Sequence, residues 1–388
     1  MTQINALEDS LSMLAGKQTI GPNMRILVLL SLLCLTSNSA AAAEAVDLDV
    51  SDARACALYE DGSVYCWGAP MSGASPPFTA KRVNGLPKAK SIAVGRFGAC
   101  AVDGGDDLWC WGVDLQRSLR ADILVESQSP FKVDALPGVK AVDMGFVHMC
   151  ILSLDGEVWC WGQNPCGELG CGDKDPHSEL TKVPFVYSVK SVSAGINNTC
   201  VVYGAGELSC WGSDNPTREG QPFIFETTLP VRLDINYFGA MKSVANGRNF
   251  ACGIRTSGEV TCWGSNIMGQ LGTNEPRLGE DLAGIGEVDG ITDARDLDAS
   301  YFNACAVDGG QVICWGAPLF LDIDEAGMSQ PPTAIPLIQS ATRVALGTLY
   351  GCAIENGKVL CWGVDNLDGA PVLEGMGPGT PVAVPGLP

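Results

Sequence analysis

Residues Gly247–Gly272 read GRNFACGIRTSGEVTCWGSNIMGQLG, and the two cysteines in that stretch govern how it folds. Cys252 and Cys262 are ten residues apart, with Thr256-Ser257-Gly258 between them. With those three residues as a hairpin loop, the cysteines fall directly opposite each other on two antiparallel strands. A three-residue loop needs a left-handed residue at its third position, which glycine supplies without steric cost. Opposed residues in such a ladder have Cα atoms roughly 4.5–5.5 Å apart, within reach of a disulfide. The stretch reads as a stapled β-hairpin.

The unit recurs along the chain. Cys-Trp-Gly begins at Cys66, Cys110, Cys160, Cys210, Cys262, Cys314 and Cys361, at intervals of 44 to 52 residues. An earlier cysteine accompanies each one: Cys56, Cys100, Cys150, Cys200, Cys252, Cys305 and Cys352. The separation is ten residues in the first five copies and nine in the last two. The loops change to match. Glu60-Asp61-Gly62, Gly104-Gly105-Asp106, Leu154-Asp155-Gly156, Gly204-Ala205-Gly206 and Thr256-Ser257-Gly258 have three residues, whereas Gly309-Gly310 and Asn356-Gly357 are two-residue pairs suited to a type I′ turn. Spacing and loop length vary together, so the register survives in every copy. Repeats of this length with strand patterning indicate propeller blades. The predicted fold is all-β, a seven-bladed β-propeller with a hairpin disulfide within each blade. Alternation along Val64-Tyr65-Cys66-Trp67 puts cysteine and tryptophan on opposite faces, so the disulfide of one blade is expected beside the tryptophan of the next.

Three of the 17 cysteines lie outside this scheme. Cys34 sits in the N-terminal region. Cys166 and Cys171 are five residues apart, and the expectation is an eighth, local disulfide. The alternative is a metal site with His177 as a further ligand. Dense pairing of this kind belongs to an oxidising compartment.

The N-terminus agrees. Residues 24–45 have the form of a signal peptide: Arg25, the apolar run Ile26–Leu35 broken by Ser31, then Ala41-Ala42-Ala43 as a small-residue cleavage site. The run is too short to span a bilayer, and residues 1–23, which carry no clear pattern, are expected to be a non-native or leading extension. The propeller is expected over 46–388. Its first repeat lacks the valine-to-proline half found between other blades, and that half stands alone at the end as Val384-Pro385-Gly386-Leu387-Pro388. Segment 381–388 is therefore expected to close the ring by completing the N-terminal blade.

Composition limits the partners. Of 388 residues, 46% are hydrophobic and 18% charged, enough apolar material for a large core. The 47 glycines and 23 prolines suit short strands and turns. A net charge of −20 disfavours nucleic acid, whose phosphates call for lysine and arginine, and disfavours anionic lipid likewise.

The pattern Gly-x-x-x-x-Cys, Gly-x-Val-x-Cys-Trp-Gly, Asn-x-x-Gly-Gln-Leu-Gly resembles the repeat of the regulator of chromosome condensation family, in the cysteine-paired form common in secreted bacterial proteins. The fullest copy ends Asn266-Ile267-Met268-Gly269-Gln270-Leu271-Gly272, and a second ends Asn164-Pro165-Cys166-Gly167-Glu168-Leu169-Gly170. The resemblance runs over 46–388 and implies a seven-bladed propeller. It carries over no catalytic residue. The family's histidine two positions before the first cysteine survives here only as His148.

Chemistry is sparse in the sequence. The two histidines are His148, read as structural, and His177. Asp103, Asp106 and Asp107 form one acidic cluster and Asp322, Asp324 and Glu325 another; calcium is conceivable at each, but neither has the EF-hand spacing, and solvated loops are the simpler reading. Asn197 begins a glycosylation sequon. No cofactor and no metal is assigned. The expectation is a secreted or envelope-associated, monomeric protein-binding propeller without catalysis, with its contacts on the insertions Asn215–Phe225, Asn274–Gly286 and Leu319–Pro332. The alternatives are a carboxylate-based lyase or hydrolase, marked by acidic residues from several blades converging on the axis, and a structural surface component.

Overall fold

In a computed structural model the described residues are 43–52, 54–68, 79–96, 98–112, 127–133, 138–213, 226–273, 283–317, 330–363, 373 and 375–388. They form seven four-stranded antiparallel sheets, each taking its strands in chain order. The first blade is β1 (Ala45–Val50), β2 (Arg54–Tyr59), β3 (Val64–Gly68) and β4 (Lys81–Arg82). The others span 89–132, 139–182, 189–233, 241–287, 294–334 and 341–383. First strands pack on one another round the ring, and β1 meets the first strand of the last blade, so the circle is closed.

The hairpin register is as predicted. Each pair of cysteines is opposed across the second and third strands, with Cα atoms 4.0–4.1 Å apart. The third loop position is left-handed in all five longer loops, at Gly62, Asp106, Gly156, Gly206 and Gly258. In the two short loops Gly309, Gly310, Asn356 and Gly357 all have positive φ, as a type I′ turn requires.

The core is seven interfaces rather than one centre. Cys56 shares a buried cluster with Trp111, Cys100 and Cys110 with Trp161, Cys150 and Cys160 with Trp211, and Cys200 and Cys210 with Trp263. The series continues with Cys252 and Cys262 beside Trp315, Cys305 and Cys314 beside Trp362, and Cys352 and Cys361 beside Trp67. No tryptophan of the series is more than 8% exposed. The disulfide of each blade is thus covered by the indole of the next, across the seam of the ring as well.

Closure differs from the expectation. Val382–Ala383 pairs with Lys358–Gly363 and completes the seventh blade, not the first. The first blade already has a fourth strand, β4, so the missing half-motif left no gap to fill. The residues after the last strand reach across instead. Ala80 donates its N–H to the Pro385 carbonyl at 2.8 Å, and Val384 is buried in the cluster holding Leu48 and Trp67. From the other side, Ala45 donates to the Gly357 carbonyl at 2.9 Å.

A short helix, α1 (Ile235–Phe238), interrupts the all-β pattern between the fourth and fifth blades. Asp234 caps it, and Phe238 packs edge-on against Trp263 with centroids 5.3 Å apart. No helix among the described residues is long and apolar enough to cross a membrane.

Candidate functional site

The antiparallel order gives the ring two distinct faces. One carries the turns between first and second strands and the ends of the third strands; the other carries the cysteine hairpin loops and the links between blades. On the first face, residues from all seven blades surround a central opening, among them Ser51, Arg96, Phe146, Ile196, Gly247, Tyr301 and Leu346.

This opening holds an arginine–aromatic cluster. The Arg96 guanidinium lies 4.3 Å from the centroid of Phe146, and Arg248 lies 5.0 Å from Tyr301 and 5.9 Å from Phe302. Phe146 and Tyr301 meet edge-on at 6.5 Å, so the two halves join across the mouth. Each residue belongs to a first-to-second-strand turn. Arginine and aromatic side chains clustered in this way are of the types concentrated at protein-binding hot spots.

Below the mouth, the first strands present one equivalent position seven residues before the first cysteine. It is occupied in order by Asp49, Ala93, Asp143, Ser193, Ala245, Asp298 and Ala345, each paired with that cysteine. Acidic residues from several blades therefore do converge near the axis. Each carboxylate is engaged twice. Asp143 accepts from Met144 N–H at 2.9 Å and from Ala194 N–H in the next blade at 2.7 Å. Asp298 accepts from Ala299 N–H at 2.8 Å and Leu346 N–H at 2.7 Å. Asp49 accepts from Val50 N–H at 2.8 Å and from Val94 N–H. Between the fourth and fifth blades Asn246 takes over, donating its amide to the Ser193 carbonyl at 2.6 Å. Every aspartate faces a blade whose own position is alanine or serine, which leaves room for the crossing carboxylate. Burial pushes Asp143 up to about 6 and Asp298 up to about 7. Asp49 is also pushed well up, by burial and then by the charges of Asp298 and Asp143.

Two Asn-x-x-Gly loops dock the third blade on the fourth and the fifth on the sixth. Asn164 Oδ1 accepts from Leu169 N–H at 2.9 Å, and Asn266 Oδ1 from Leu271 N–H at 3.0 Å. The turn so formed offers the Glu168 carbonyl to the Trp211 indole at 2.8 Å, and the Gln270 carbonyl to Trp315 at 2.9 Å. Gly170 and Gly272 have positive φ, and a Cβ on Gly170 would stand 2.6 Å from the Trp211 nitrogen. His148 belongs to this joint. Thr199 donates to the Glu168 carbonyl at 2.8 Å, so at 2.8 Å His148 Nε2 is the donor to Thr199. Burial holds His148 neutral, with its pKa lowered to about 3.

Cys166 and Cys171 form no eighth disulfide. The turn directs the Cys166 backbone N–H to the Glu168 carboxylate at 2.8 Å, while Cys171 Sγ sits 3.5 Å from His177 Nε2. Asp103 accepts from Gly105 and Asp107 N–H at 2.8 and 3.0 Å and from the Trp109 indole at 2.9 Å, while Asp106 pairs with Lys90 and Asp107 with Lys132. These contacts tie the acidic residues into the hairpin and not into one cage. Asp322, Asp324, Glu325 and Asn215–Phe225 lie outside the described residues, as do residues 1–42. Residues 283–286 and 330–332, expected in insertions, are fourth-strand residues of their blades.

Regulator of chromosome condensation (RCC1) repeat models match residues 139–168 and 241–270, and a related model of the same repeat matches 155–202. No curated protein sequence matches the chain. Among solved structures it is similar to Prp20p from Saccharomyces cerevisiae, studied for its binding to Gsp1p and histones, at 18% identity over 78% of this chain and 80% of that one, with a TM-score of 0.65. Yeast RCC1 (Prp20) bound to Kap60 is similar at 19% identity over 88% of this chain and 84% of the other, with a TM-score of 0.66. The CRINKLY WD40 ectodomain of the Arabidopsis thaliana receptor kinase ACR4 is similar at 17% identity over 88% and 99%, with a TM-score of 0.51. The matched repeats of the regulator of chromosome condensation type lie in three of the blades, the third, fourth and fifth, and the ring is similar in fold to these solved structures over most of its length.

Proposed function

We propose that the chain is an exported, non-enzymatic propeller that binds a protein partner through the face carrying the central mouth. The observation that carries this reading is the Arg96–Phe146–Tyr301–Arg248 cluster around the axis. Export is supported by seven hairpin disulfides, which belong to an oxidising compartment. The fold neighbours studied with Gsp1p, histones and Kap60 offer precedent for a ring of this shape as a protein-binding platform.

The carboxylate-enzyme reading has one feature in its favour, the axial aspartates. Asp49, Asp143 and Asp298 are each tied to two backbone N–H groups, which suits joints between blades better than proton transfer to a substrate. The test is affinity capture from the native envelope and culture fractions on the immobilised oxidised chain, with a reduced, unfolded copy as control. One saturable protein partner held by the folded chain alone supports the proposal. Heat-sensitive substrate turnover abolished by Asp298→Asn in a chain that keeps its fold would overturn the non-enzymatic part.

A further inference from the structure

The loop after the third strand of the third blade and the first residue of its fourth strand bring together three ligand-type side chains of different chemistry. Cys171 Sγ lies 3.5 Å from His177 Nε2 and 3.6 Å from Asp173 Oδ1, and His177 Nε2 lies 3.1 and 3.2 Å from the two Asp173 oxygens. The three donor atoms fall within 4.8 Å of one another. Zinc bound tetrahedrally at about 2.3 Å from sulfur, about 2.05 Å from nitrogen and about 2.1 Å from oxygen sets ligand edges of roughly 3.6 Å (S···N), 3.6 Å (S···O) and 3.4 Å (N···O). The observed triangle has those edges to within a few tenths of an ångström.

The surroundings orient the same atoms. Thr181 donates its hydroxyl to the Glu179 carbonyl, so the 2.8 Å contact with His177 Nδ1 has the imidazole N–H as donor. That tautomer turns the Nε2 lone pair toward Cys171 and Asp173 once Nε2 is unprotonated, and a hydrogen bond from the distal nitrogen is the usual support of a metal-bound histidine. Asn164 donates its amide to Asp173 Oδ1 at 3.1 Å and to the Asp173 carbonyl at 2.9 Å, which fixes the carboxylate. The same turn in the fifth blade keeps the equivalent asparagine, Asn266, but has Thr273 in place of Cys171. The scaffold is common to both blades; the ligand set is particular to this one. Asp173 is 41% exposed and His177 24%, so solvent reaches the site from one side.

We propose that Cys171, Asp173 and His177 bind one zinc-class divalent cation, with the fourth position open to water. Binding forms Zn–S, Zn–N and Zn–O bonds; the Cys171 thiol proton leaves to solvent, as does the Nε2 proton wherever the imidazole carries one.

The test uses the full chain, purified without reductant. Thiol alkylation and intact mass are measured before and after chelation, followed by titration with zinc and with cobalt(II) as the spectroscopic probe. The expected results are one equivalent of metal, a thiolate-to-cobalt absorption band, and protection of Cys171 from alkylation until the metal is removed. Cys171→Ser and His177→Ala should each weaken binding by more than about a hundredfold, and Thr181→Ala by about tenfold. Cys166→Ser should bind as the parent does. A Cys166–Cys171 disulfide in the isolated parent chain, or unchanged affinity in a Cys171→Ser, His177→Ala chain with all seven hairpin disulfides intact, would overturn the proposal.

Discussion

Asp298 offers the most quantitative handle on how the ring is joined. Its carboxylate spans the sixth and seventh blades, and burial raises its pKa from 3.8 to about 7. A carboxyl whose folded pKa lies above its unfolded one stabilises the fold fully below the unfolded value. That contribution is lost as pH rises through the folded pKa. For these two values, linkage gives a loss of about 1–3 kcal/mol between pH 5 and pH 8. Asp143, raised to about 6, acts in the same direction, while His148, lowered to about 3, acts in the opposite one because the unfolded histidine takes up a proton below about 6.5. The parent's own profile therefore mixes signs, and the informative quantity is a difference. Asp298→Asn cannot titrate and loses one acceptor at every pH. Its stability relative to the parent should improve by about 1–3 kcal/mol from pH 5 to pH 8. Denaturant midpoints of both proteins at four pH values, with disulfides intact, measure this. A difference that stays constant with pH would refute the assignment of Asp298 as a protonated joint.

Other expectations follow from the blade interfaces. Replacing Cys252 and Cys262 together by alanine opens a ten-residue loop and should cost about 2–3 kcal/mol by thermal or denaturant unfolding, with no loss of the other six bridges on mapping. Gly170→Ala places a Cβ against the Trp211 indole in a left-handed backbone and should cost at least about 2 kcal/mol, whereas alanine at Gly85, which has open space around it, should show only the backbone cost of about 1–2 kcal/mol. Trp315→Phe leaves the Gln270 carbonyl without its indole donor and should cost about 1–3 kcal/mol, read as a fall in melting temperature.

The repeat, the blade count and all seven hairpin bridges were legible because two independent local rules, cysteine spacing and turn type, had to agree in every copy. The tryptophan–disulfide stacking was legible for the same reason, since strand alternation assigns faces without knowledge of the ring. The axial joint was missed. Its signal, aspartate or a small residue seven positions before each first cysteine, is present at Asp49, Asp143 and Asp298 but means little until the first strands are known to surround an axis. Closure was misassigned because a half-motif in sequence does not say which edge it pairs with, and β4 already held the edge of the first blade. The Cys166–Cys171 pairing failed on a geometric point: five residues of tight turn, organised by Asn164, turn Cys171 toward His177. The mouth cluster rests on single residues in turns that follow no repeat rule, so Arg96, Phe146, Arg248 and Tyr301 carried no pattern to find.

The two faces of the ring give the account its most direct test. The captured partner's affinity is measured for the parent, for Phe146→Ala and Arg248→Ala at the mouth, and for Phe185→Gly and Leu337→Gly on the opposite face, where those side chains are 73% and 78% exposed. The mouth variants are expected to lose about tenfold to a hundredfold or more in affinity, the range of hot-spot truncations, while the opposite-face variants bind as the parent does. Undiminished binding by the mouth variants, with loss confined to Phe185→Gly or Leu337→Gly, would contradict that expectation.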